Sequence, residues 1–174
     1  MLKMFTTQIS GLFNRIYEKQ EFEIEDGARL LAQAAVGEGT IYLKGFEEMD
    51  AITLEAIYGA EPLVYAKSLE DVATITEADR VLIVSRLSND KEAVQLAKQL
   101  QNKGIPFVAI SGLVKGEESL AELSDIHLDT KLVKGMLPGE ELGERTGFPS
   151  SMAGLYLYFL LKFTLDEMLV EYND

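Results

Sequence analysis

The sequence predicts an α/β fold, a parallel sheet covered by helices on both faces in three layers. Two observations carry that expectation. Short β-branched runs alternate with longer stretches of helical period, and two of the runs, RVLIVS and IPFVAIS, flank one helical segment, NDKEAVQLAKQLQNKG, of the length a βαβ crossover needs. The runs are also apolar almost without interruption, as strands buried on both faces are.

Leu2, Phe5, Ile9, Leu12, Phe13, Ile16 and Tyr17 recur at helical spacing, which predicts an amphipathic helix over about the first 18 residues. Ile24, Ala28, Leu31, Ala32 and Ala35 continue the period as a second helix, ended by the turn Gly37-Glu38-Gly39. TIYLKG, residues 40–45, then reads as a buried strand. The pattern from Glu47 to Tyr58 is helical and closes at Gly59, a residue that tolerates the left-handed conformation of a helix end. Pro62 to Ala66 reads as a weak strand. In the central unit Ala93, Val94, Leu96, Ala97 and Leu100 make one helix face, Asn89 or Asp90 caps its start, and Gly104 ends it. SLAELSD is a short helix leading to the strand IHLD. Thr130 to Gly147 is rich in glycine and charge, and a long helix follows from about Pro149 to Tyr172.

Composition bounds what this fold does. A chain of 174 residues, with 47% hydrophobic and 26% charged residues and no linker-like stretch, is expected to fold as one domain, 1–174. A net charge of −13 argues against a general nucleic-acid or anionic-membrane binder, whose affinity comes chiefly from lysine and arginine. The absence of cysteine excludes disulfides, thiolate catalysis and cysteine-held metals. MLKMFTTQISGLFNRIY lacks the apolar core and cleavage site of a secretory signal, so the cytoplasm is the expected compartment. The most apolar segment, Met152 to Leu161, falls short of the ~20 residues of a membrane span and reads as a buried helix. Being apolar nearly all round, it must be covered on more than one face, which points to a dimer.

In such a fold ligands sit at the carboxyl ends of the strands. Three loops are therefore where a site is expected: Gly45 to Asp50, Ser85 to Asp90, and the stretch before the last helix.

The order of elements, two leading helices, a βαβ core, LAELSDIHLD and a final apolar helix, resembles the sugar isomerase (SIS) domain over most of the chain. The likeness is strongest in DRVLIVSRLSNDKEAVQLAKQLQNKGIPFVAIS, where a strand leads into SRLSNDKE in place of the family's S-x-S-G-x-T-x-E. Ser85 and Glu92 match, while Leu87, Ser88 and Asp90 stand where the family has serine, glycine and threonine. The whole chain is similar to an uncharacterised bacterial group labelled phosphoheptose isomerase from its fold. The resemblance implies a five-stranded parallel sheet of the flavodoxin-type doubly wound kind and a homodimer with ligand sites near the subunit interface. It implies a phosphorylated sugar or related metabolite as ligand, and no cofactor.

Several residues are candidates for that site. Ser85 and Ser88 supply hydroxyls, the helix that starts at Asn89 supplies outward N–H groups, and Arg86 or Lys91 supplies charge, a set suited to phosphate. Asp90 opposes it, and the same loop also reads as a turn and helix cap with no ligand. Only Gly45 remains of the family's glycine- and serine-rich first loop, here KGFEEMD. Glu47, Glu48 and Asp50 repel a phosphate there unless a metal or arginine intervenes, and two glutamates in a first helical turn also complement the helix dipole. No metal site is expected from carboxylates without a histidine nearby.

An aldose–ketose isomerase needs a base to move a proton between adjacent carbons. Glu55 lies one residue off the position where phosphoheptose isomerases carry a functional glutamate, and Glu144, beside Arg145 in GERTGFPSS, is the other carboxylate that fits the role. Arg145 is a candidate to grip a phosphate. Glu55 and the Glu144–Arg145 pair also read as ordinary solvated side chains. The family's catalytic histidine falls at or near Ser150, and the sole histidine, His127, sits in IHLD as a strand residue. Two functions follow: a phosphosugar isomerase with an altered site, or a non-catalytic module that senses a metabolite or binds a protein. A metal-dependent phosphoesterase using Glu47, Glu48 and Asp50 is a third.

Overall fold

In a computed structural model, which describes residues 1–116 and 118–174, the run Val81 to Val84 is wholly buried, and its side chains divide between two cores. Leu82 and Val84 join one and Val81 and Ile83 the other, the alternation of a strand with helices on both sides. This strand is β3 (Arg80–Leu87). It lies at the centre of a five-stranded sheet with β1 (Ile41–Gly45), β2 (Ala66–Ser68), β4 (Phe107–Gly112) and β5 (Ile126–Asp129), in the order β2-β1-β3-β4-β5 and parallel throughout.

The first core is closed by α1 (Leu2–Val36), α2 (Asp50–Tyr58) and α5 (Ser150–Asn173), the second by α3 (Lys91–Lys103) and the single turn α4 (Leu120–Leu123). The three-layer, five-stranded parallel architecture is the one expected. Because α2 and α3 cover opposite faces, the chain diverges where β1 and β3 end. That switch point leaves a crevice outside the carboxyl ends of the two strands. No helix among the described residues is long and apolar enough to cross a membrane.

Several elements differ from expectation. The two leading helices are present as expected but follow one another without a linker as α1, separated only by a kink at Gln20, whose φ of −135° and ψ of 22° are not helical. Gln20 is buried: its amide donates to the Asp129 carbonyl at 2.6 Å and accepts from the Asp129 N–H at 2.6 Å. An edge residue of the sheet is thereby satisfied by a side chain, and the bend is what lets it reach. The weak strand is at Ala66–Ser68 rather than Pro62 to Ala66, because Tyr65 takes a positive φ of 56° and the segment before it turns. Gly59 is extended, not left-handed; it is needed because a Cβ there would lie 2.4 Å from the Glu55 carbonyl oxygen. Gly104 does adopt the left-handed conformation, φ 72°. Within 130–147, β6 (Leu137–Pro138) and β7 (Arg145–Thr146) form a small antiparallel hairpin.

Candidate functional site

Gly45 ends β1 beside Val84 of β3. A Cβ on Gly45 would sit 2.3 Å from the Met49 carbonyl oxygen, so only glycine lets the chain fold straight back into the turn that starts α2. Its N–H donates to the Thr53 hydroxyl at 3.0 Å. Gly45 thus sets the course of Phe46–Asp50 over the end of the sheet.

That course brings Glu48 to Arg86, the residue after Ser85. The Arg86 guanidinium donates from Nε and Nη2 to the two carboxylate oxygens of Glu48, at 2.5 and 2.7 Å. The Ser150 hydroxyl, at the start of α5, donates to the same carboxylate at 2.6 Å. Arg86 holds the Glu48 carboxyl down at about 2, against the opposing effect of partial burial and with help from Ser150. Glu48 in turn raises the pKa of Arg86. Glu47 and Glu48 do stand in the first turn of a helical segment, as expected, and Glu48 has a further use. Both lie in a 3-10 turn ahead of α2, and Glu48 is committed to an ion pair that joins three segments.

The Ser85 loop is also internally occupied. Ser85 is fully buried, and its hydroxyl donates to the Asp90 carboxylate at 2.5 Å, which further accepts from the Leu87 N–H at 3.2 Å. Asp90 stands at the N-cap position of α3 but makes no side-chain cap, so it serves the loop and not the helix. Ser88 is equally buried. Its hydroxyl accepts from the Val114 N–H at 2.9 Å, its N–H donates to Gly112 and its carbonyl accepts from Leu120, so it pins the loops after β3 and β4 together. Asn89 is exposed at the turn.

Arg86 and Asp90 line a cleft of about 210 Å³ with Phe46, Glu47, Glu48 and Lys91. It sits at the switch point, and Lys91 forms no ion pair there among the described residues. Three of the proposed site segments therefore converge: the Gly45 loop, the Ser85 loop and Ser150.

Glu55, Glu144 and Arg145 do not join them. The Glu55 carboxylate lies beside Gly59, at the far end of α2. Glu144 accepts from the Glu141 N–H at 3.1 Å and closes the exposed turn of the β6–β7 hairpin. Arg145 donates to the carbonyls of Gly135 and Met136, at 3.1 and 2.8 Å, and ties that hairpin down. His127 is largely buried, with Nε2 2.7 Å from the Ser111 hydroxyl, and burial lowers its pKa.

A family described as a domain of unknown function, DUF2529, matches residues 1–169. The chain belongs to the DUF2529 family. A DUF2529-length relative, the uncharacterized protein YwjG of Bacillus subtilis (strain 168), is 43% identical over 173 residues, 99% of either chain. Among solved structures, phosphoheptose isomerase from Neisseria gonorrhoeae superposes with a TM-score of 0.64 at 16% identity, covering 96% of this DUF2529 chain and 100% of that one. The Vibrio vulnificus NanR protein, solved with ManNAc-6P, gives a TM-score of 0.64 at 17% identity, covering 97% and 64%. At these identities the likeness is one of fold, and it is the SIS-like fold that the βαβ core resembles.

Proposed function

We propose that this protein is a SIS-like binding module for a phosphorylated sugar or related metabolite, which it holds at the cleft between β1 and β3 without isomerising it. The observation that carries this reading is the orientation of Asp90. By turning back to Ser85 and Leu87 it leaves the start of α3 without a side-chain cap, beside the cleft where Arg86 and Lys91 lie. Helix N–H groups and two cations suit a phosphate, and the NanR protein of the same fold is solved with a sugar phosphate. In this reading the phosphate contacts α3, Lys91 and Arg86, and the serine hydroxyls that the SIS resemblance suggested are structural.

Turnover is disfavoured by the positions of the carboxylates. A base for proton transfer needs to reach the substrate and to have a pKa near the working pH. Glu48 is the carboxylate nearest Arg86, and at about 2 it is a poor base. Glu55 and Glu144 do not line the cleft, and Ser150 stands where the SIS resemblance puts the family's histidine.

Thermal-shift titration with C5 to C7 sugar phosphates, each beside its unphosphorylated sugar, tests the proposal. Stabilisation by phosphorylated members only is expected, with no aldose–ketose interconversion by NMR. If none of them stabilises the protein at millimolar concentration, the binding reading fails; if one is interconverted, the non-catalytic reading fails.

A further inference from the structure

A second cleft, of about 540 Å³, opens beside the first on the α3 side of the sheet. Phe46, Glu47 and Glu92 line both, so the two are neighbours across the turn that follows β1. At about 210 Å³ the first cleft falls below the ~300–1,000 Å³ of ordinary small-molecule sites, whereas the two together fall within that range. The second runs along α3 from Glu92 past Gln95 to Gln99, ~10 Å of helix at 1.5 Å per residue. A ligand larger than a single phosphorylated sugar therefore has room here.

The lining of the second cleft is apolar below and polar at the rim. Leu69 and Leu96 are buried and form its floor, with Val72 partly buried beside them. Gln95 and Gln99, one helical turn apart on α3, are exposed at its rim. Glu47, Glu70 and Glu92 also line it and form no ion pair among the described residues. Lys44 is the one cation in that lining among the described residues, and it is placed at the junction of the clefts, 5.5 Å from the centroid of the Phe46 ring.

Different extensions of a sugar phosphate meet this lining differently. A second phosphate faces three carboxylates against one lysine and is repelled. A second sugar ring brings hydroxyls onto a floor of leucines, where they find no partner. A planar heterocycle suits both parts. Its faces rest on Leu69 and Leu96, and its edge meets Gln95 and Gln99, amides that each donate and accept, while its N–H groups face free carboxylates. We propose that the ligand is a nucleoside 5′-monophosphate, with its phosphate at Arg86 and Lys91 in the first cleft and its base in the second, against Leu96, Gln95 and Gln99. This rests on the phosphate site described above and names the class of sugar phosphate that it takes. Gln95 and Gln99 are the residues that select the base.

Calorimetric titration of the full chain with ribose 5-phosphate and with AMP, GMP, CMP and UMP tests the assignment. At least one nucleotide is expected to bind about tenfold or more tightly than ribose 5-phosphate. Combining Gln95→Ala with Gln99→Ala places two strong helix formers on the exposed face of α3, so the fold is kept, and brings that nucleotide down to the affinity of ribose 5-phosphate. Lys91→Ala, by contrast, weakens both ligands alike. Four nucleotides that bind no better than ribose 5-phosphate overturn the base site and leave the phosphate site standing, as does a preference that survives the double variant. No binding of ribose 5-phosphate or of any nucleotide overturns the phosphate site, and the proposal with it.

Discussion

The Asp90 carboxylate takes up the hydroxyl of the fully buried Ser85 at 2.5 Å, so the loop that resembles a phosphate cradle already contains an anion of its own. Asp90 also satisfies the Leu87 N–H. Asp90→Ala leaves two donors unpaired, one of them buried. We expect a stability loss of about 1–3 kcal/mol, several degrees in Tm for a chain of this size. Inorganic phosphate should recover part of the loss in the variant and have less effect on the wild type. Chemical denaturation with and without phosphate measures both, and an unchanged midpoint for Asp90→Ala would mean that the carboxylate is not holding the loop.

Glu48 does the corresponding work for Arg86. Its folded pKa of about 2 is below the ordinary 4.5, so the ion pair stabilises the fold fully above about pH 4.5 and loses that contribution as pH falls through 2. Since Arg86 is about half exposed, solvent screening reduces the worth of the pair to about 1–2 kcal/mol. Glu48→Gln should therefore be less stable than wild type at pH 7 by that amount, with the gap closing toward pH 2. If Arg86 binds ligand phosphate, the same variant frees the guanidinium and should bind sugar phosphates more tightly. Calorimetric titration of both proteins reads the second effect, and equal or weaker binding by Glu48→Gln would remove Arg86 from the ligand site.

Gln20 and Asp129 offer a test of the sheet's edge. The Gln20 amide meets both the N–H and the carbonyl of Asp129 at 2.6 Å. Gln20→Leu keeps the bulk but leaves two backbone groups unpaired, at a cost of roughly 2–4 kcal/mol. Gln20→Glu keeps one bond and places a carboxylate beside the Asp129 carbonyl, so it should be no better. Hydrogen exchange at the Asp129 amide is expected to accelerate in both variants while β3 stays protected. Unchanged exchange would mean that the bend at Gln20 is set by packing alone.

The sheet was legible because burial on both faces leaves a simple trace: Val81 to Val84 are apolar at every position, and Gly104 ends the following helix as its type suggests. The bend in α1 also left a trace. Leu12, Ile16, Gln20 and Ile24 step by four along the buried face, and a glutamine in that series is a polar group that must find a partner inside. What the sequence did not show is pairing between loops far apart in the chain. Glu48, Arg86 and Ser150 are brought together only by the strand order that places β1 beside β3, and no local pattern encodes that order. Ser85 and Ser88 were legible as hydroxyls at the ligand end, but their orientation depends on Asp90 and Val114. Glu144 and Arg145 stood out by charge, and their use within a hairpin turn follows from backbone carbonyls that a sequence does not reveal.

His127 gives a prediction with a definite sign. Burial is the main force lowering its pKa below 6.5, Lys131 acts in the same direction, and Asp129 opposes them. As pH falls through 6.5 the unfolded chain takes up the proton before the folded one, so stability declines until the folded pKa is passed and then levels off. His127→Gln preserves a partner for Ser111 but does not titrate. Urea denaturation at pH 7.5, 6.5 and 5.5 should show the wild type losing stability relative to His127→Gln across that interval, above the range where carboxylates protonate. Parallel pH profiles for the two proteins would contradict this, since they would require His127 to accept its proton as readily inside the sheet as in water.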